Sequence, residues 1–248
     1  MSGHSRWSTI KHKKGATDAK RGKLFTRLIK EMTVAARQGG GDINGNPRLR
    51  AAVNEAKNNN MPKDTIERAV KRGSGELEGA SYEEITYEGY GPGGVAIIVE
   101  ALTDNSHRTT PEVRHIFEKN GGNLGTPGSV KFQFDRKGLF TIERKAVDED
   151  KLMEIALEAG ADDLDTNDPE AYAITTSPEN FEAVRQALEK NNIPTVEAKI
   201  GQIPSLYVKL DEAKAKQTMR LLEMLDDQDD VQNVWSNFDI PAEMMESA

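Results

Sequence analysis

Cysteine is absent from this 248-residue chain. Disulfides, thiolate metal sites and cysteine nucleophiles are therefore excluded, and the composition suits a reducing compartment. No apolar run approaches the roughly 20 residues of a membrane-spanning helix. The cationic N-terminus is followed by no apolar stretch, which argues against a secretory signal. The four histidines, His4, His12, His107 and His115, show no metal-site spacing. Ser, His and Asp all occur, but no nucleophile-elbow or metalloprotease pattern joins them. These absences predict a cytoplasmic protein that is not an enzyme, with no cofactor, no metal and no small-molecule substrate.

What the chain does have is charge divided along its length. The whole is acidic, at a formal net charge of -8. Residues 1–72 hold 17 Lys/Arg against 6 Asp/Glu, a net +11, and the remainder holds 16 against 35, a net −19. Up to Lys30 nine cations face one carboxylate, Asp18. The nine are Arg6, Lys11, Lys13, Lys14, Lys20, Arg21, Lys23, Arg27 and Lys30. Such asymmetry points to a polyanion-binding segment carried by an acidic body. A body of the same sign as nucleic acid adds no unspecific attraction, so binding stays focused on the arm. Lys and Arg neutralise phosphates and release counterions; five such contacts on duplex DNA give a log–log salt slope of about −4 to −5. Trp7 lies among these charges, where an indole either stacks on a base or anchors the arm to the body.

Three helices are expected before a linker at Gly73–Ser81. The first begins near Thr17 or Asp18 and stops at Gly39-Gly40-Gly41. At about 100° per residue, Leu24, Phe25, Leu28, Ile29, Met32, Ala35 and Ala36 share one face. Lys20, Lys23, Arg27, Lys30 and Arg37 share another. The second helix is capped by Asn46 with Pro47 in its first turn, and the third runs through PKDTIERAVKRG. Beyond the linker the signals become α+β. Strand candidates are EEITYEG, GVAIIVEALTD, SVKFQFD, GLFTIER, ADDLDT, AYAITT, TVEAKIGQI, SLYVKL and DVQNVWSNF. Helices are expected at TPEVRHIFEKN, DEDKLMEIALEAG, PENFEAVRQALEK and DEAKAKQTMRLLEMLDD.

Between residues 137 and 203 the order β-α-β-β-α-β matches the split βαβ motif. The predicted fold class is therefore an α+β multidomain chain: an N-terminal three-helix domain followed by two ferredoxin-like α+β domains, one inserted in the other. The expected divisions are 1–76 for the basic arm and helices, 77–136 with 204–248 for a discontinuous middle domain, and 137–203 for the insert.

Other motifs read more plainly. GYGPGG (Gly89–Gly94) leads into a strand and lacks the Lys-Ser/Thr of a phosphate loop, so a turn is expected. GGNLGTPGSV (Gly121–Val130) reads as an exposed loop able to reach a partner. In TDNSHRT, Ser106 or Thr109 is expected to cap a helix, with His107 and Arg108 near its positive end as a secondary anion contact. DDQDD (Asp226–Asp230) and ADDLD (Ala161–Asp165) miss calcium-loop spacing and read as solvated acidic turns.

The segments GHSRW, IKHKK, DAKRGKLFTRLIKE, NPRLRAAV, NMPKDTIERA, YEGYGPGGVAIIVEALTDN, EVRH and GGNLGTPGSVKFQF together resemble the YebC/PmpR family. The match continues more weakly through LMEIALEAGADD, IPS and DDVQNVWSN. One departure is DNSHRT where the family usually reads DNRNRT, so Ser106 replaces an arginine while Arg108 remains. The resemblance implies three α/β domains around an acidic cavity. It also implies a DNA-binding transcriptional regulator or, as in the mitochondrial relative that activates translation, a ribosome-binding factor that relieves stalling at proline-rich sequences. The expected partner is nucleic acid, as duplex DNA or ribosomal RNA, with the ribosome itself as a candidate and no membrane.

Overall fold

The computed structural model describes residues 18–239. Helices α1 (Asp18–Gly39), α2 (Pro47–Asn58) and α3 (Lys63–Gly73) form a bundle around Leu28, Met32, Leu49, Val53 and Ile66. The bend between the first two is fixed by one buried amide. Asn46 Oδ1 accepts from Leu49 N at 3.1 Å and caps α2, while its Nδ2 donates to Ala35 O at 2.8 Å and Gly40 O at 2.9 Å. At the other end α3 closes directly on α1. A Cβ on Gly73 would stand 2.3 Å from the Thr33 carbonyl oxygen, so only glycine allows this approach. Among the described residues, no helix is long and apolar enough to cross a membrane.

The first sheet has the order β3-β1-β2-β9, all antiparallel, from β1 (Glu83–Tyr90), β2 (Ala96–Thr103), β3 (Asn123–Leu124) and β9 (Val231–Ser236). The GYGPGG segment turns β1 into β2, with Gly93 and Gly94 at φ 76 and 81. Alternation along β2 buries both faces of the sheet. Ile97, Val99 and Ala101 join Val113 and Phe117 of α4 (Ser106–Lys119) and Leu221, Leu222 and Leu225 of α7 (Glu212–Asp226). Ala96 and Ile98 pack on the opposite side with Val130, Phe134 and Trp235. The cap of α4 is Asn105, whose side chain accepts from Arg108 N, and not Ser106 or Thr109 as expected. Thr109 is buried instead and bonds to Thr103 and Asp230.

The second sheet has the order β5-β6-β4-β7, from β4 (Phe134–Glu143), β5 (Ala161–Asp165), β6 (Ala171–Thr176) and β7 (Glu197–Pro204). With α5 (Glu149–Glu158) and α6 (Phe181–Lys190) it runs β-α-β-β-α-β around Phe140, Ile142, Leu152, Ile174, Val184 and Leu188. Two sequence expectations change here. SVKFQFD and GLFTIER do not form separate strands: residues 131–133 make a tight turn and one strand, β4, runs from Phe134 through residue 136/137 to Glu143. Within SLYVKL only β8 (Val208–Lys209) pairs, in parallel with β10 (Phe238–Asp239).

The two sheets meet where Trp235 lies over β7. Its ring fills the space above Gly201, and Lys199 Nζ stands 4.7 Å from the ring centroid. A Cβ on Gly201 would fall 2.2 Å from Trp235 Cη2. We expect Gly201→Ala to destabilise the protein by roughly 1–3 kcal/mol through overpacking. Urea denaturation checks this; an unshifted midpoint would show that the ring has room to move.

Candidate nucleic-acid interface

The cationic face of α1 follows a helical stripe at Lys23, Arg27 and Lys30. That stripe meets the acidic turn ending α7, about 200 positions away in sequence. Lys23 Nζ pairs with Asp227 Oδ1 at 2.9 Å, Arg27 Nη1 with Asp226 Oδ1 at 3.2 Å, and Lys30 Nζ with Asp230 Oδ1 at 2.7 Å. Lys23 and Arg27 also donate to the backbone carbonyls of Asp227 and Asp226. Lys30 donates to Asp229 O at 3.0 Å and lies beneath the Tyr82 ring, 5.6 Å from its centroid. A second tie runs from Arg48, which forks onto Glu31 at 2.6 and 2.9 Å and reaches Glu84 of β1.

Asp230 is the centre of this seam. It is 2% exposed, so the reading of DDQDD as a wholly solvated turn is corrected at this residue. Its Oδ2 accepts from Arg108 Nη2 at 2.8 Å and Thr109 Oγ1 at 2.7 Å. Its own N–H donates to Gln228 Oε1 at 2.7 Å, and its carbonyl accepts from Leu102 N at 2.8 Å. Burial alone would raise its pKa. The bonds from Lys30, Arg108 and Thr109 outweigh burial and hold the carboxyl well below the usual carboxylate range.

The sequence-predicted residues thus divide. Lys23, Arg27 and Lys30 are brought together, but on carboxylates of the same chain. Arg21 is exposed and lies 5.4 Å from the Phe25 ring centroid. Arg108 directs one guanidinium nitrogen to both Asp104 and Asp230, and His107 is exposed beside it. Arg6, Trp7, Lys11, Lys13 and Lys14 lie outside the described residues, as does the side chain of Lys20. Elsewhere on the bundle Lys57, Lys71 and Arg72 are exposed and make no ion pair among the described residues. Sequence reasoning missed Asp226, Asp227 and Asp230 as partners of α1. The sequence shows an acidic run and a cationic stripe, but nothing in it pairs the two.

A second anchor shapes the glycine-rich loop. Glu88 is buried and accepts from the backbone N–H groups of Gly128, Val130 and Lys131 at 2.7, 2.8 and 2.8 Å. Burial pushes its pKa up, but these three donors prevail and lower it. Among the described residues, no group of three or more His, Asp or Glu could hold a metal ion.

A basic helical bundle docked by ion pairs onto two packed α+β sheets defines the class of protein. Residues 5–76 match the TACO1/YebC protein N-terminal domain, and residues 82–238 match the TACO1/YebC second and third domain. The chain belongs to the TACO1/YebC family. It is 61% identical to a "probable transcriptional regulatory protein" of Geobacter sulfurreducens, over 99% of each chain. It is 58% identical to one of Desulforapulum autotrophicum, over the whole of both. A crystal structure of a conserved hypothetical protein from Aquifex aeolicus is 50% identical, with a TM-score of 0.84 over 90% of this chain and 92% of that one.

Removing Asp230 leaves Lys30 buried without its counter-charge. We expect Asp230→Ala to cost about 3–5 kcal/mol. Lys30→Met with Asp230→Leu should be less damaging than the two single changes added together. The folded carboxyl titrates below its unfolded value of about 3.9. Its contribution is therefore complete above about pH 5 and is lost as pH falls through the folded pKa. Urea midpoints measured from pH 7 down to pH 3 check both points. Asp230→Ala should flatten the acid limb of that curve.

Proposed function

We propose that this protein is a non-enzymatic regulator of gene expression that binds nucleic acid through its basic N-terminal part. The observation that carries the reading is the charge division, +11 over residues 1–72 against −19 over the rest. The names of its relatives support a regulatory role in transcription, and in this reading duplex DNA is the leading partner. In this reading Arg6, Trp7, Lys11, Lys13, Lys14, Lys20 and Arg21 form the grip. Lys23, Arg27 and Lys30 seat the root of that grip on the acidic body, and His107 and Arg108 lie at the edge of the same seam. Lys57, Lys71 and Arg72 add outward charge on α2 and α3. The alternative partner is ribosomal RNA, in a translation factor acting on the ribosome. It is favoured by the absence, in the sequence of these helices, of a clear Asn, Gln and Arg set for reading base edges.

Replacing Lys11, Lys13, Lys14, Lys20 and Arg21 with Gln tests the grip. Each lost phosphate contact should reduce the log–log salt slope on duplex DNA by about 0.9. The urea midpoint should stay nearly unchanged, because the seam's ion pairs at Lys23, Arg27 and Lys30 are left intact. Binding by anisotropy across a salt series reads the slope. Co-sedimentation with ribosomes from DNase-treated lysate separates the two partners: parent but not variant in the ribosomal pellet selects RNA. Unchanged binding to every nucleic acid would sink the proposal.

A further inference from the structure

The two most exposed large apolar side chains among the described residues stand at one place. Phe132 is 76% exposed and Leu206 72%. The β4–β7 ladder ends at the Phe134–Pro204 pair, and Ser205 N then donates to Gln133 O at 2.8 Å. Phe132 and Leu206 are the next residue on each side of that bond, and Tyr207, 43% exposed, follows.

The backbone under this patch is firmly held. Glu88 binds the N–H groups of Gly128, Val130 and Lys131 just before Phe132. Asn237 Nδ2 donates to Gln133 Oε1 at 3.2 Å, and Val208 N donates to Asn237 O at 2.8 Å. An aromatic ring is thus kept facing water on an ordered turn, although its burial would add about 1.5–3 kcal/mol. Its flanks are cationic. Lys131 and Lys209 are exposed and make no ion pair among the described residues, in a part of the chain where acids outnumber bases 35 to 16. Of the nearby carboxylates, Asp135 accepts from Ser205 Oγ at 3.3 Å, Glu88 is held by three backbone N–H groups with Lys131 adding attraction, and Asp239 stands opposite Lys209 in the β8–β10 pair.

A fixed, exposed ring with one exposed lysine beside it in the chain and another on β8 suits one chemistry above others. Bases stack on aromatic faces, and cations neutralise the phosphates between them. A duplex has no free base face to offer, and an apolar protein surface would gain nothing from two exposed lysines. We propose that Phe132, with Lys131 and Lys209, forms a second nucleic-acid site that takes unpaired bases of a single-stranded segment. The proposal rests on the nucleic-acid reading above, and it adds a site that the basic arm does not contain.

The test uses the full chain, a 12-nucleotide uridine strand and a 12-base-pair duplex, with anisotropy across salt. Phe132→Ala should weaken single-strand binding about tenfold or more while leaving its salt slope unchanged. Duplex binding should not move, and Phe132→Trp should retain single-strand binding. Lys131→Gln with Lys209→Gln should instead lower the single-strand slope by about 1.4, at roughly 0.7 for each phosphate. Because Phe132 is exposed, its variants should melt like the parent. Single-strand binding equal to the parent's in Phe132→Ala overturns the proposal. If the arm variant loses binding at the same time, the nucleic-acid reading survives and only the second site falls. If the parent binds neither probe, both fall. If Phe132→Ala changes only the oligomeric state in sedimentation, the patch joins copies of this chain and the proposal is overturned.

Discussion

A single buried carboxylate joins parts of the chain that are otherwise remote. Asp230 lies at the entrance to β9 and receives bonds from Lys30 of α1 and from Arg108 and Thr109 at the start of α4. Its backbone carbonyl meanwhile pairs with Leu102 at the end of β2. A charge with this little contact with water is tolerated only when fully paired. Satisfying it therefore fixes three things together: where the helical bundle sits, how α4 leaves the first sheet, and where β9 enters it. Such a pair is weak evidence for stability by itself. Its greater contribution here is to geometry, because every alternative docking of α1 would strand the carboxylate or Lys30.

A similar device orders the loop between the sheets. Glu88 has no cation within its set of hydrogen bonds and relies on three backbone N–H groups. These donors define the path from Gly128 to Lys131, bring Val130 and Phe134 under the first sheet, and leave Phe132 outside. Gly201 sets the matching constraint from the other side, since the Trp235 ring occupies the space a side chain would need. Thus β4 and β7 reach from under one sheet into the other, and the join between the sheets is a packed one.

Local features were legible in the sequence wherever the chemistry was local. Asn46 before Pro47, the glycines after Gln38, and the βαββαβ order all act over a few residues, and the corresponding elements stand where their caps and periodicity place them. Pairings over long separations were not legible. The period of α1 shows a cationic face, but no pattern along the chain shows that Asp226, Asp227 and Asp230 meet it. An aspartate run reads as solvated because sequence carries no measure of desolvation; burial of Asp230 comes from Thr103, Thr109 and Leu102 closing around it. The merging of SVKFQFD into β4 is equally non-local, since Glu88 forty residues upstream creates the turn. The residues of the proposed grip follow from charge counting alone, which identifies the sign of a partner and not its structure.

The seam is graded along α1, and the gradient bears on how the basic part meets a polyanion. Side-chain exposures of the paired groups are 8% and 3% for Lys30 with Asp230, and 16% each for Arg27 with Asp226. For Lys23 with Asp227 they rise to 34% and 72%. Solvent screening leaves a pair like the last about 0–1 kcal/mol, whereas opening the first would uncover a buried charge. A phosphate approaching from the arm would therefore replace Asp227 on Lys23 at little expense, and would meet rising resistance at Arg27 and Lys30. In the proposed function, the acidic turn would thus limit how far along α1 a polyanion extends. It would confine the grip to the N-terminal side of the helix and keep the bundle docked while that side is occupied.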